Sequence, residues 1–166
     1  SEYGKGSTFC VKIPFRHEQV ADEVSVDGFH TSASFDFPLI EKPNILIAED
    51  NEDNRELLKM YLKKTNFKYS FANDGQEVID CFPQEDFNLV LMDIQMPRVN
   101  GHDATKFIRN YEKENLKSPI PVIALSAYCL DNEIQMSFKA GCNAHLTKPI
   151  YKKNLLAVIN KLCVKN

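Results

Sequence analysis

No stretch of this sequence is apolar for long enough to cross a bilayer, and its first residues carry no signal-peptide pattern. No CxxC pair occurs among the five cysteines, Cys10, Cys81, Cys129, Cys142 and Cys163. An odd number without such a pair points to buried free thiols in a reducing compartment. Cys129, Cys142 and His145 match no spacing used by zinc ligands. Nor is positive charge in excess. With 20 Lys and Arg against 23 Asp and Glu, the net charge is -3, which gives no reason to expect a nucleic-acid surface. What is present is a globular composition, 43% hydrophobic and 26% charged, in 166 residues. That length holds one ordinary domain and an appendage, and the expected location is cytoplasmic.

The chain is organised around Asn88-Leu89-Val90-Leu91-Met92-Asp93, a short apolar run ending on a carboxylate. Bounded by polar Asn88 and a Met96-Pro97 turn, it fits a strand buried on both faces of a parallel sheet. Ligands of such sheets sit beyond the carboxyl ends of the strands, so Asp93 is expected at the mouth, open to solvent. Alone, it could merely cap the next turn. A second run, Asn44-Ile45-Leu46-Ile47-Ala48, ends on Glu49-Asp50 and alters that balance. Three carboxylates delivered to one edge repel one another, and a cation would relieve them. Oxygen-only ligands in a partly hydrated cluster suit Mg²⁺ better than zinc or copper, with Mn²⁺ as an alternative ion.

From Pro43 onward strands and helices alternate. Asn51 is placed to cap a helix carrying Glu52 and Asp53 in its first turn and burying Leu57, Leu58, Tyr61 and Leu62. Tyr69–Phe71 is a short strand; Asn73-Asp74-Gly75 then turns into a helix that Pro83 stops. Gly101 opens a helix with Ala104, Phe107, Ile108 and Tyr111. Pro121–Leu125 is a strand ending on Ser126-Ala127, and Gly141 closes the next helix. Asn143–Leu146 forms the last strand before Lys148-Pro149, and Leu155, Leu156, Ile159 and Leu162 line the final helix. Such alternation implies right-handed crossovers and an α/β, doubly wound, five-stranded parallel sheet. Its expected order is the flavodoxin-like 2-1-3-4-5, counted from Asn44. Glu49, Asp50 and Asp93 then meet at the switch point, with Ser126 and Lys148 arriving from neighbouring strand ends.

The first residues differ. Phe9, Val11, Ile13 and Phe15 alternate as in a half-buried strand, after the glycine-bearing turn Gly4-Lys5-Gly6-Ser7. A lone strand cannot pair its edge or bury its face, so it belongs to a larger sheet. Gly4-Lys5-Gly6-Ser7-Thr8-Phe9, with Ile13-Pro14, resembles the last glycine box and closing strand of the ATP-binding domain of sensor histidine kinases. The other boxes and the phosphoaccepting-histidine helix of that family are missing, so no kinase activity is expected from these residues. Arg16 to Lys42 lacks periodicity and reads as a linker, although Phe29, Phe35 and Phe37 suggest that part of it lies on the neighbouring domain. The expected division is 1–15 kinase-domain tail, 16–42 linker and 43–166 main domain.

Asn44 to Lys161 resembles a response-regulator receiver domain over its whole length. The resemblance rests on Glu49-Asp50, Asp93 before Met96-Pro97 and Gly101, Ser126-Ala127, Ala140-Gly141 and Lys148-Pro149, in order and spacing. It implies that Asp93 accepts a phosphoryl group from a phosphohistidine. Glu49, Asp50, Asp93 and the backbone carbonyl of Gln95 would hold Mg²⁺, Lys148 would supply a cation to the phosphoryl oxygens, its bond to Pro149 being cis, and Ser126 would donate to the bound phosphate. Small Ala127 would leave the phosphate room. Two positions depart from the pattern. His145 stands where the family often carries a switch Phe or Tyr, and either switches weakly with pH dependence or is simply a partly buried histidine. Tyr128, with Gln95, flanks the site at positions that tune hydrolysis.

A remnant of a kinase before the receiver, and no output domain after it, points to a hybrid histidine kinase, its location cytoplasmic as part of a sensor that a membrane could anchor elsewhere. The expected partners are a kinase phosphohistidine, in cis or in trans, and a histidine phosphotransfer protein, with no nucleic acid and no direct membrane contact. Self-dephosphorylation would be slow. Two other readings stay open: a haloacid dehalogenase-type phosphatase, against which Gln95 stands where a second acid is wanted, and a docking module that is never phosphorylated. If Tyr128 screens the acyl phosphate from water, a Tyr128→Ala variant should lose its phosphate faster than the wild type, measured by the decay of the phosphorylated mass; slower loss would contradict the screening role.

Overall fold

The apolar runs form strands because they are rich in Ile, Leu and Val and are bounded by polar residues and turns. The computed structural model describes residues 29–31, 40–127 and 130–163. The strands are β1 (Phe29–Thr31), β2 (Asn44–Ala48), β3 (Lys68–Ala72), β4 (Leu89–Asp93), β5 (Val122–Ser126) and β6 (Ala144–Thr147). The helices are α1 (Glu52–Leu62), α2 (Gly75–Cys81), α3 (Gly101–Glu114), α4 (Asp131–Ala140) and α5 (Lys152–Cys163). The sheet order is β1-β6-β5-β4-β2-β3. Its five strands from Asn44 onward are parallel and in the expected doubly wound order.

The register brings the acidic ends together. Ala48 pairs with Met92, so Glu49 follows at the level of Asp93 on the adjacent strand. β4 and β5 are buried along their whole length, as strands covered on both faces must be. Ile45, Ile47, Leu91, Ile123 and Leu125 face α1 and α5 through Leu58, Leu62, Leu155 and Ile159. Leu46, Val90, Met92 and Val122 face the other way, toward Val78, Ala104 and Ile108. One sheet therefore divides two cores, and neither can shift without moving the strands that carry the acids.

Three expectations are corrected. Residues 29–31, expected within the linker, form a sixth strand antiparallel to β6, with Phe29 opposite Leu146 and Thr31 opposite Ala144. Backbone pairing at an otherwise open edge explains it. The last strand runs one residue later than expected, to Thr147. Pro83 does not stop α2 outright, because Phe82–Gln84 continues as a 3-10 turn with the proline in its first positions, where its missing N–H costs nothing. The expected strand at residues 8–15, most of the linker and Tyr128 lie outside the described residues.

Helix ends follow local chemistry. Asn51, Asp74 and Asn100 cap α1, α2 and α3 with their side-chain oxygens. Gly141 ends α4 at φ 108°, and a Cβ there would lie 2.8 Å from Arg109 Cγ. Arg109 fills that corner: its guanidinium donates to the carbonyls of Gly141 and Ile120, to Glu112 and to Asn143 Oδ1, tying α3 to the entry of β5 and β6.

Asp74 accepts the amides of Gln76 and Glu77 at 2.8 and 3.0 Å and the guanidinium of Arg98. Burial works against its charge, but these bonds prevail and hold its carboxyl below the usual 3.8. The stability it carries is therefore complete above that value and is lost as pH falls through its lower folded value. Asp74→Ala should cost about 1–2 kcal/mol at neutral pH, and the difference from wild type should shrink in acid below pH 3.8; urea unfolding at both pH values checks this.

Candidate phosphoacceptor site

At the carboxyl ends of β2 and β4, three acids converge. One carboxylate oxygen from each of Glu49, Asp50 and Asp93 lies within 4.8 Å of the others. Glu49 and Asp93 are only 1% and 3% exposed, while Asp50 faces solvent. The expectation that Asp93 is open to solvent is thus corrected: its carboxylate is buried beside Lys148 and Glu49. The loop after β4 packs against the Asp93 backbone, where a Cβ on Gly101 would sit 2.1 Å from the Asp93 carbonyl oxygen. Arg98, at φ 60°, pins the same loop to Asp74.

Two buried carboxylates side by side demand a counter-charge. Lys148, delivered from the end of β6, supplies it. Its Nζ donates to Asp93 Oδ2 at 2.6 Å and to Glu49 Oε2 at 2.8 Å. The expected cis bond between Lys148 and Pro149 is present. The Lys148 amide donates to the Ser126 carbonyl at 2.7 Å, joining the loop after β6 to the end of β5. Burial raises the Asp93 carboxyl above its usual range; the ammonium of Lys148 lowers it, but only in part, and Glu49 raises it further. Burial opposes the charge of Lys148, yet its two carboxylates outweigh that and raise its pKa.

The remaining oxygens have partners as well. Asp93 Oδ1 accepts the Gln95 amide at 3.0 Å. Glu49 Oε1 accepts Asn54 Nδ2 at 2.8 Å. Arg55 Nη1 donates to the carbonyls of Glu49 and Asp50 at 2.9 and 2.8 Å, fixing the turn that presents the acids. Asn54 and Arg55 were not foreseen. The only signal in the sequence is their place in the first turn of a helix capped by Asn51, one turn beyond the acidic pair. Ser126 is buried at the end of β5 and Ala127 is exposed beside it. His145 does not reach these acids; it lies fully buried on β6, with Nδ1 3.2 Å from Ser137 Oγ on α4. Cys142 is also apart, buried against Thr105 with its thiol pushed up to about 11, an inert core residue.

The profile of the response regulator receiver domain matches residues 45–160. The chain belongs to that family. Among curated proteins it is 34% identical over 119 residues to the sensor histidine kinase GacS of Pseudomonas protegens, covering 72% of this chain and 13% of that protein. It is 36% identical over 121 residues to hybrid signal transduction histidine kinase I of Dictyostelium discoideum, covering 70% of this chain and 7% of that one. The chain thus spans a small part of these relatives. Among solved structures, a co-crystal of the Saccharomyces cerevisiae phosphotransfer protein Ypd1 with the receiver domain of Ssk1 matches with TM-score 0.71 and 32% identity, over 75% of this chain and 90% of that one. The receiver domain of sensor histidine kinase PA1611 from Pseudomonas aeruginosa, crystallised with a coordinated magnesium ion, matches with TM-score 0.66 and 26% identity, over 73% and 97%. The haloacid dehalogenase alternative gains no support. Among the described residues, no helix is long and apolar enough to cross a membrane.

The three-acid cluster fits a hard divalent cation: its donors are all oxygen, close enough to share one ion, and Asp50 keeps a side open to water. Among the described residues, Lys148 is the cation that forms ion pairs with both buried carboxylates. Lys148→Ala should therefore destabilise the ion-free protein by about 3 kcal/mol or somewhat more at neutral pH, and adding Asp93→Asn should recover part of that loss; urea midpoints without divalent ions measure both.

Proposed function

We propose that this receiver domain takes a phosphoryl group from a phosphohistidine onto Asp93 and passes it to a histidine phosphotransfer protein, as the receiver segment of a hybrid histidine kinase. The observation that supports this most directly is the Lys148 ammonium bridging Asp93 and Glu49 inside the three-acid cluster. That arrangement neutralises charge at the one place where a carboxylate must meet a phosphate.

The chemistry follows from the positions of these groups. An Asp93 carboxylate oxygen attacks phosphorus, the P–N bond to the donor imidazole breaks with its electron pair passing to nitrogen, and a mixed anhydride forms. The attack suits Oδ2, which faces Lys148, whereas Oδ1 is occupied by the Gln95 amide. Lys148 is placed to shift from the carboxylate to the phosphoryl oxygens as negative charge accumulates there. Ser126 is assigned the hydroxyl that donates to the attached group, and Ala127 the small neighbour that leaves it room. Glu49, Asp50, Asp93 and the Gln95 carbonyl would hold Mg²⁺, with Mn²⁺ as a substitute. Bound there, the ion offsets the repulsion between the carboxylate and the incoming phosphate. Transfer onward reverses these events at a second histidine, breaking the P–O bond and restoring the carboxylate. Tyr128 and Gln95 would then set how long the anhydride survives.

The relatives support the wider setting: several are sensor or hybrid histidine kinases, and one structural neighbour was crystallised with a phosphotransfer protein. On this reading residues 1–15 are the tail of a kinase ATP-binding domain and 16–42 connect it to the receiver at 43–166. Incubation with Mg²⁺ and acetyl phosphate should add one phosphate to the intact mass, and Asp93→Asn should add none. Persistent absence of the adduct in the wild type would favour a docking module over a relay.

A further inference from the structure

A polar cluster lies where α3, α4 and β6 meet, away from the acids. Ser137 sits on the inner face of α4 and is 1% exposed. Its hydroxyl has three neighbours: the Glu133 carbonyl at 3.1 Å, His145 Nδ1 at 3.2 Å and His102 Nε2 at 3.2 Å. A serine hydroxyl offers one proton and two lone pairs. The Glu133 carbonyl can only accept, so it takes the proton, as a helical serine commonly bonds back one turn. Both imidazoles must then donate. For all three contacts to be hydrogen bonds, His145 carries its proton on Nδ1 and His102 on Nε2, which fills the serine's capacity.

The two histidines come from places that matter. His102 follows Gly101, the residue packed against the Asp93 backbone. His145 lies in β6, three residues before Lys148 and fully buried. Burial lowers the pKa of His102, Lys106 lowers it further, and Glu133 and Asp103 offset this only in part. A ring swinging out from β6 would break its bond to Ser137 and leave the buried serine oxygen without that donor, a costly loss.

We propose that Ser137 is a positioning residue that locks His145 inward as its Nδ1–H tautomer, so that in this receiver the residue at that β6 position does not exchange rotamers. The proposal rests on the receiver reading for its significance, but not for its geometry. α4 and β6 are then joined through the serine, and a change at the acceptor site must move them as one unit instead of flipping a side chain between them.

Imidazole ¹⁵N NMR on the full chain, with relaxation-dispersion measurements and without added ligand, tests this. In the wild type His145 should show a single Nδ1–H tautomer without millisecond exchange, and His102 the Nε2–H tautomer. Ser137→Ala should lose the single-tautomer signature of His145 and introduce exchange broadening, and Ser137→Thr, which keeps the hydroxyl, should restore it. An Nε2–H tautomer on His145 in the wild type, or an unchanged tautomer in Ser137→Ala, would overturn the proposal. Should Ser137→Ala not fold, the wild-type tautomer decides alone. No phosphorylation is involved, so failure of the acceptor reading would be seen separately, in the mass of the acetyl phosphate reaction.

Discussion

Everything at the mouth of this sheet depends on one ammonium group standing between two buried carboxylates. Lys148 is separated in sequence from Glu49 by the whole alternating core, yet its Nζ lies within hydrogen-bond reach of both Glu49 and Asp93. Removing two acids from water without that cation would force one of them to keep its proton. With it, the two carboxylates lie side by side, each accepting from the same ammonium. The same proximity fits the cluster to a hard divalent cation, since one oxygen from each of Glu49, Asp50 and Asp93 lies within 4.8 Å of the others.

The sheet makes this geometry durable. β2, β4 and β5 carry apolar residues to both faces, so their ends are held by two cores at once, while β6 joins the first through Ala144 and Leu146. The loop after β4 is secured from outside by Arg98 on Asp74 and from beneath by Gly101 against the Asp93 carbonyl. Asp74 thereby serves two purposes, capping α2 and anchoring the acceptor loop. The opposite corner depends on Arg109, which satisfies carbonyls that α4 and the entry to β5 leave open.

Much of this was legible in the chain because it is local. Apolar runs of strand length, caps such as Asn51 and the glycine at 141 each state their role within a few residues. The acids, the hydroxyl of Ser126 and Lys148-Pro149 fall at strand ends, and strand order then brings them together. What stayed hidden depends on partners far apart. His145 offered two readings, and nothing near it in sequence pointed to His102; only the packing of α3, α4 and β6 puts a serine between them. Asn54 and Arg55 look like ordinary residues of a helix surface until the turn before α1 brings the acidic pair back over them. Phe29 suggested that part of the linker lies on the domain, but that residues 29–31 pair with β6 as a strand could not be read, because backbone hydrogen bonds carry no side-chain signature.

The sequence by itself determined the class of the fold and the inventory of the site, since hydrophobic period and strand-end chemistry are properties of short segments. Only the tertiary structure decided how buried Asp93 is, which oxygen each donor occupies and where the imidazole of His145 is held. Those outcomes turn on a few tenths of an ångström between elements distant in the chain, and packing alone sets such distances.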